Sequence, residues 1–284
     1  MSEKQANTGV LYVVATPIGN LADMVPRAVE TLQQVDCIAC EDTRRAAKLL
    51  DHFHISAKLL SYHEHNEDST WPALLSRLQA GESLALISDA GTPTISDPGY
   101  ALVREAQRAG VTVSPIPGAS AAMAALSVSG LPSDRFCFEG FLPAKAAARN
   151  KRLQVLAKES RTLIFYEAPH RIIECLQDMI NNFSGEREAV LARELTKMYE
   201  TVRADTLTAL LNFVTSDSQQ QKGEIVIVVR GAVRVKTESV DEEGRRVADL
   251  LRPHMPPKQA AALAQEITGI NKKQLYQYII SLNS

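Results

Sequence analysis

Three loops rich in glycine, proline and other small residues each follow a predicted β-strand, at residues 15–20, 88–99 and 116–121. Glycine lets a backbone approach a ligand closely, and proline stiffens a loop. In open α/β sheets, ligands bind beyond the carboxyl ends of the strands, so we expect these loops to converge on one crevice. A tight strand-to-helix turn is the alternative for any single loop. Three such loops in one chain favour a ligand site.

The same loops indicate what kind of ligand to expect. Neither the dinucleotide pattern G-x-G-x-x-G nor the nucleotide pattern G-x-x-x-x-G-K-[ST] follows a predicted strand. A ligand without phosphates, held by backbone groups, fits this composition better. Asp89 and Asp97 add carboxylates that can accept hydrogen bonds from ribose hydroxyls or from an ammonium group.

Alternating short strands and amphipathic helices must position these loops. We predict strands at residues 10–15, 37–40, 58–61, 84–88, 111–115, 135–140, 162–167, 189–194 and 224–230. We predict helices at residues 26–34, 43–51, 70–79, 98–109, 149–158, 171–181 and 206–214. Strands that alternate with helices indicate an α/β protein with a largely parallel sheet. Two such sets, divided near residue 117, predict two α/β domains over residues 1–117 and 118–231.

Residues 232–284 follow a different pattern and are predicted to form a linker and a small helical domain. The linker covers residues 232–243, and helices are expected at 243–251, 257–268 and 272–282. Asn271 is suited to cap the last helix. A helix, a glycine-containing turn and a helix that begins with Lys272 and Lys273 could read nucleic acid. A plain helical hairpin is the alternative.

The composition argues against a membrane-spanning, a secreted or a strongly basic protein. The 284 residues carry a net charge of -2 and are 45% hydrophobic, and no apolar run reaches the roughly 20 residues of a membrane span. The polar first nine residues predict no secretory signal, and hence a cytoplasmic location. Because the protein is nearly neutral, any RNA contact must be local. Residues 145–161 are the one strongly basic segment, which is either a solvated helix face or an RNA contact.

Six sequence blocks resemble the tetrapyrrole methylase superfamily. They are residues 11–24, 40–44, 88–99, 117–121, 166–171 and 192–197, and the resemblance covers about residues 9–284. The last two blocks resemble the branch that methylates cytidine 2'-hydroxyls in small-subunit ribosomal RNA. Relatives that modify tetrapyrroles typically carry Gly-Pro-Gly-Asp where this chain has Pro17-Ile18-Gly19-Asn20, which also favours the RNA branch.

The resemblance implies two α/β domains with S-adenosylmethionine in the cleft between them, and a homodimer. The residues themselves predict no metal site, and whether a metal assists stays open. The implied cofactor contacts from the three loops are Pro17, Ser88, Asp89, Ala90, Gly91, Ile95, Ser120 and Ala121. Phe165 and Tyr166, at the end of a strand of the second domain, are expected to cover the cofactor from the other side.

A ribose hydroxyl is a weak nucleophile, so a general base would assist its methylation. The candidates are Glu41, Asp42, His63, Glu64, His65 and Glu194. We rank Glu194, Arg193 and Lys197 first as catalytic residues because they end a predicted strand, and a surface ion-pair cluster is the alternative. The residues expected to contact RNA are Arg44, Arg45, His63, His65, Lys145, Arg149, Lys151 and Arg152.

The resemblance therefore predicts S-adenosylmethionine-dependent 2'-O-methylation of a cytidine in the decoding region of 16S ribosomal RNA. The near-neutral charge favours the assembled small subunit over naked RNA as the substrate. Two alternatives stay open. One is methylation of a small molecule such as a tetrapyrrole precursor, and the other is RNA or nucleotide binding without catalysis.

Overall fold

The computed structural model describes residues 9–233, 240 and 242–282. Contacts divide the chain into two compact units, Met1–Ala232 and Val233–Ser284. The first unit contains two five-stranded sheets. The second contains helices only within its described residues. The division of the first unit into two domains at residue 117 stays a prediction.

The first sheet is entirely parallel, with strand order β3-β2-β4-β1-β5. Its strands are β1 (Val10–Val14), β2 (Cys37–Cys40), β3 (Leu59–Ser61), β4 (Leu84–Ile87) and β5 (Thr112–Ile116). Its helices are α1 (Pro26–Gln34), α2 (Thr43–His52), α3 (Glu67–Gln79) and α4 (Tyr100–Arg108). Helices α1 and α2 pack on one face of the sheet, and α3 and α4 pack on the other. Covering both faces explains why β2 and β4 are buried at every position.

The second sheet is mixed, with strand order β6-β7-β10-β8-β9. Its elements are α5 (Ala121–Val128), β6 (Phe136–Phe141), α6 (Ala146–Leu156), β7 (Thr162–Glu167), α7 (Ile172–Phe183), β8 (Glu188–Arg193), β9 (Thr201–Thr206), α8 (Leu207–Ser216) and β10 (Ile225–Val229). Only the β6–β7 pair is parallel, and the other three pairs are antiparallel. The largely parallel arrangement is thus confirmed for the first sheet and wrong for the second.

One strand of this sheet, β9, and one helix that packs on it, α5, were not predicted. Strand β9 is an edge strand whose sequence TVRADT has no apolar run, and it follows β8 without an intervening helix. Helix α5 has the sequence AAMAALSV, whose small residues pack on the sheet face away from α7 and α8. Periodicity reports how a segment is buried, and it does not report the direction in which a strand runs.

The second unit contains α9 (Glu242–Leu251), α10 (Pro257–Thr268) and α11 (Lys272–Ser281). Gly269 ends α10 in the left-handed conformation, with φ of 71°. The Asn271 side chain accepts a hydrogen bond from the Lys273 backbone N–H at 2.8 Å, so the predicted cap is confirmed. Most of the predicted linker, residues 232–243, falls outside the described residues. No helix in the described part of the chain is long and apolar enough to cross a membrane.

Candidate active site

Backbone hydrogen bonds tie the three small-residue loops together. Thr16 and Gly91 exchange two N–H···O bonds, at 2.8 and 3.0 Å, which joins the loops after β1 and β4. The Thr92 hydroxyl donates to the Ala119 carbonyl at 3.0 Å, which joins the loops after β4 and β5. The carboxyl ends of parallel strands lie at one edge of a sheet, and the loops therefore meet there as the sequence predicts.

A cavity of about 370 Å³ lies between these loops and the second sheet. We call it the apolar cavity, because most of its lining is apolar or backbone, from residues such as Ile18, Leu195 and Val226. Six predicted cofactor residues line it: Ala90, Gly91, Ile95, Ser120, Ala121 and Tyr166. Its lining includes Asp97, Glu167 and Glu224, and no lysine or arginine of the described residues. A cavity of this kind suits a ligand that carries positive charge and no phosphate.

Asp97 is the carboxylate of this cavity that has no ion-pair partner among the described residues. Glu167 pairs with Arg171, with an oxygen-to-nitrogen distance of 3.2 Å, and Glu224 pairs with Lys197 at 3.0 Å. Burial raises the pKa of Asp97 to about 6, against a hydrogen bond from Ser88 that lowers it, and the charges of nearby carboxylates raise it further. A bound cation would stabilise the ionised form of Asp97.

The loop that carries Asp97 has a strained backbone. Thr94 and Ser96 have φ angles of 71° and 66°, in the left-handed region that costs about 1 kcal/mol or more for a residue with a side chain. Glu67, at the start of α3, holds the end of this loop. Its Oε1 accepts hydrogen bonds from the backbone N–H groups of Gly99 and Ala101, each at 3.1 Å. The hydroxyl of the buried Tyr62 donates to the same oxygen at 3.0 Å.

A second cavity, of about 320 Å³, adjoins the first. We call it the basic cavity, because the side chains of Arg45, Lys48 and Lys197 line it. The predicted cofactor residues Pro17, Ser88 and Asp89 lie in its lining as well. The two cavities share Ile18, Ala90 and Glu224. The residues predicted to hold one cofactor therefore divide between two adjoining cavities.

Phe165 does not lie where the sequence places it. It is fully buried in the core between the second sheet and helices α6, α7 and α8, whereas Tyr166 faces the apolar cavity. Successive side chains of a strand point to opposite faces of the sheet. Phe165 and Tyr166 are adjacent on β7 and therefore cannot both cover one ligand. The Tyr166 hydroxyl accepts a hydrogen bond from the Ala122 backbone N–H at 3.2 Å, and its ring contacts those of Phe138 and Phe141.

Arg193 makes structural contacts, and its catalytic role stays a prediction that these contacts do not support. It is only 7% exposed, and its guanidinium donates hydrogen bonds to Gln220, to the Tyr199 carbonyl and to the Thr201 hydroxyl at 3.0 to 3.2 Å. These bonds hold two loops together behind the cavity. Arg193 lines neither cavity.

Glu194 and Lys197 form an ion pair next to the cavities. Glu194 Oε1 accepts from Lys197 Nζ at 2.7 Å and from the Glu224 backbone N–H at 2.9 Å. Burial by itself would raise the pKa of Glu194, but these two hydrogen bonds and the adjacent positive charges lower it below its ordinary value. A lowered pKa makes a carboxylate a weaker base, so Glu194 is a poorer proton acceptor than an ordinary glutamate. Lys197 lines the basic cavity, and Glu194 lines neither cavity.

Arg149 is not available to RNA, and that prediction is wrong. Its side chain is 2% exposed and pairs with Asp178, at a nitrogen-to-oxygen distance of 2.7 Å, and with Glu174 at 3.4 Å. Arg149 shares the inward face of α6 with Leu153 and Leu156. The guanidinium also donates to the Ala144 carbonyl at 3.1 Å, so its hydrogen bonds are made within the fold.

The remaining predicted RNA contacts are accessible and stay predictions. On α6 and just before it, Lys145, Lys151 and Arg152 are exposed. Near the first sheet, Arg44 pairs with Asp42 on the surface, and Arg45 lies in the basic cavity. His63 is half-buried and His65 is exposed, and both follow β3 outside the two cavities.

Sequence reasoning missed several residues of the site. Phe141, Ala168, Pro169, Gly223 and Glu224 line the apolar cavity, and Lys48 lines the basic one. Pro169 lies in the sequence block 166–171, so that block pointed to the site. Lys48 and Glu224 belong to no glycine-rich loop, and only the folded arrangement brings them to the cavities.

Comparison with known proteins identifies the family. Residues 10–211 match the model of the tetrapyrrole (corrin/porphyrin) methylases, and residues 238–283 match that of the RsmI C-terminal HTH domain. Solved structures of the methyltransferase CobJ and of diphthine synthase share the fold, with TM-scores of 0.59 and 0.57. CobJ is 18% identical, and the match covers 79% of this chain and 95% of CobJ. Diphthine synthase is 16% identical, and the match covers 78% of this chain and 89% of that protein. The chain belongs to the tetrapyrrole methylase family.

Closer relatives define the branch within that family. The chain is 57% identical to the ribosomal RNA small subunit methyltransferase I of Pseudomonas aeruginosa, over 95% of this chain and 96% of the relative. It is 50% identical to the protein of that name from Escherichia coli O157:H7, over 96% of this chain and 95% of the relative. It therefore belongs with the proteins named ribosomal RNA small subunit methyltransferase I.

Proposed function

We propose that this chain is an S-adenosylmethionine-dependent methyltransferase of small-subunit ribosomal RNA. More specifically, we propose that it methylates the 2'-hydroxyl of a cytidine in the decoding region of 16S ribosomal RNA. The observation that carries the proposal is the pair of adjoining cavities, one free of lysine and arginine and one lined by them. The names of relatives that match nearly the whole chain support methylation of small-subunit ribosomal RNA.

The apolar cavity fits S-adenosylmethionine, which has no phosphate and carries a sulfonium and an ammonium group. Gly91, with φ of 84°, and Ala90 leave room for a ligand beside their backbone groups. Ser120 and Ala121 bound the cavity at the start of α5, and Asp97 supplies a carboxylate for a cationic group. When bound, the cofactor supplies an electrophilic methyl group.

The chain must also accept the proton that a methylated hydroxyl releases. Glu224 is the one carboxylate that lines both cavities among the described residues, and its side chain is 70% exposed. Lys197 Nζ lies 3.0 Å from Glu224 Oε2 and holds that carboxylate at the shared wall. We therefore favour Glu224 over Glu194 as the group to which the hydroxyl proton passes. General base catalysis of this kind contributes about a hundredfold or more in rate.

The proposal includes a homodimer, which the family resemblance implies, and a cytoplasmic location. It also favours the assembled small subunit as the substrate, since the chain has a net charge of -2 and its basic groups are local. Light scattering of the purified protein tests the dimer, and a monomer at assay concentration would contradict that part of the proposal.

The central experiment uses labelled S-adenosylmethionine and small subunits that lack the modification, with naked 16S RNA in parallel. We expect label in 2'-O-methylcytidine and a higher rate on subunits than on naked RNA. Glu224→Gln should lower the rate about a hundredfold and leave cofactor affinity within a few-fold of wild type. Label on a tetrapyrrole precursor alone, or cofactor binding without RNA methylation, would contradict the proposal.

A further inference from the structure

The basic cavity has one cation, Lys48, whose charge is not paired by any of the described residues. Lys197 is bound by Glu194 and Glu224, and Arg45 is bound by Asp89 at 3.0 Å. Of the three cations that line the cavity, two are therefore held by carboxylates. Within the part of the chain that the structure describes, the exposed Lys48 side chain makes no hydrogen bond or ion pair.

Arg45 and Lys48 supply this cavity with more hydrogen-bond donors than Asp89 can accept. Both oxygens of Asp89 are already engaged, Oδ1 by the Asp42 backbone N–H at 3.1 Å and Oδ2 by Arg45. The Arg45 guanidinium has five N–H donors, and its side chain is 70% exposed. Lys48 adds three more donors. Charged donors grouped in this way suit the oxygens of a phosphate.

The position of the two residues on α2 matters as well. Arg45 and Lys48 lie three residues apart, so one face of the helix presents both to the cavity. Ile18 and Ala90 separate this cavity from the apolar one and line both. A nucleotide whose phosphate lies beside Lys48 can therefore place its sugar at the shared wall.

We propose that the basic cavity is a phosphate subsite for the RNA substrate, in which Lys48 and Arg45 bind a backbone phosphate adjoining the methylated ribose. This inference rests on the proposed function for the identity of the ribose. The phosphate contact itself is independent of catalysis. It would hold the nucleotide next to the apolar cavity without contributing to cofactor binding.

The test is Lys48→Ala, compared with Lys58→Ala and Lys48→Arg. Lys58 is exposed and precedes β3, at the opposite edge of the same sheet from the cavities, so its variant removes one charge elsewhere. We expect Lys48→Ala to raise the KM for small subunits about tenfold, with kcat within twofold and cofactor affinity unchanged. Lys48→Arg should stay within about threefold of wild type in KM because it keeps a cationic donor. Lys58→Ala should match wild type.

Direct binding separates failure of the subsite from failure of the proposed function. The probe is a short single-stranded cytidine-containing RNA, followed by fluorescence anisotropy at several salt concentrations. Lys48→Ala should bind about tenfold more weakly and reduce the salt slope by about one. Equal affinity and slope for the Lys48→Ala and Lys58→Ala variants, or no RNA binding by wild type, would overturn the subsite. RNA binding that depends on Lys48 without methyl transfer would uphold the subsite and contradict the function.

Discussion

The two cavities share a wall but differ in charge. The apolar cavity contains Asp97, a carboxylate without a cation partner among the described residues, and has no lysine or arginine in its lining. The basic cavity contains three cations, of which Lys48 has no partner within the described residues. Ligands of opposite charge can thus bind side by side, because each cavity favours one of them and disfavours the other. A protein with a net charge of -2 can therefore still present a local group of cations beside an acidic cavity.

The largest effect should come from Glu67, which fixes the Asp97 loop without entering either cavity. In Glu67→Ala, the Tyr62 hydroxyl and two backbone N–H groups lose their acceptor, at about 1 kcal/mol or more each. We expect cofactor affinity to fall about a hundredfold and RNA affinity to change much less. Calorimetry measures the cofactor affinity, and fluorescence anisotropy measures the RNA affinity.

Two further variants serve as controls for Glu67→Ala. Glu67→Gln keeps a carbonyl acceptor and should recover most of the cofactor affinity. Glu105→Ala removes a glutamate from the same region, on α4, that pairs only with surface arginines and should bind cofactor like wild type. An equal loss of RNA and cofactor affinity in Glu67→Ala would show that the cavities are not separable.

A smaller effect is expected for Gly91→Ala. The new Cβ would lie 3.4 Å from Ile18 Cγ2, in the shared wall, at a φ of 84°. We expect about a tenfold loss of cofactor affinity by calorimetry, and about 1 kcal/mol less stability because the backbone is left-handed. Gly110→Ala is the matched control, with φ of 74° and no atom within 4 Å of the new Cβ. It should lose similar stability and no affinity, and a similar affinity loss in both variants would contradict the assignment of the apolar cavity.

The smallest effect should come from the titration of Asp97, whose pKa burial raises to about 6. A cationic cofactor binds best to the ionised form, so its affinity should fall a few-fold as pH drops from 7 to 5. The stability effect has the opposite sign. The pKa of Asp97 is 3.8 in the unfolded chain and about 6 in the folded protein. Between these two pH values, Asp97 is ionised in the unfolded chain and still largely protonated in the folded protein. Ionisation of Asp97 therefore lowers the free energy of unfolding as pH rises through that window.

Asp97→Asn should remove both dependences, and calorimetry and thermal unfolding at several pH values measure them. Glu41, whose pKa burial also raises, stays in place in this variant and can account for a residual pH dependence. An undiminished pH dependence of cofactor affinity would show that Asp97 does not face the cationic group.

Much of the site was predictable because it depends on local chain chemistry. Glycine and proline in residues 15–20, 88–99 and 116–121 specified three loops, and a parallel sheet necessarily brings such loops to one edge. The C-terminal helices were predictable for the same reason, since Asn271 and Gly269 have cap and turn preferences that do not depend on distant residues. The identity of the ligand is implied by the family resemblance of the sequence blocks and not by the loops alone.

Other assignments failed because burial and pairing are properties of the folded chain. Arg149 is charged and lies in the basic segment 145–161, yet its position on α6 directs it to Asp178 in the interior. Phe165 and Tyr166 are adjacent in sequence but lie on opposite faces of β7. Sequence spacing cannot show which face of a helix or strand a neighbouring element will cover.

By itself, the sequence determined the α/β class, the three ligand loops and the family. The tertiary structure decided that the predicted cofactor residues divide between two cavities, and that Glu224 lies at the wall between them. It also decided which charges remain unused, leaving Lys48 available and Arg149 buried. The physical reason is that loop conformation follows from local residue types. The charge of a cavity depends on contacts between residues far apart in the chain.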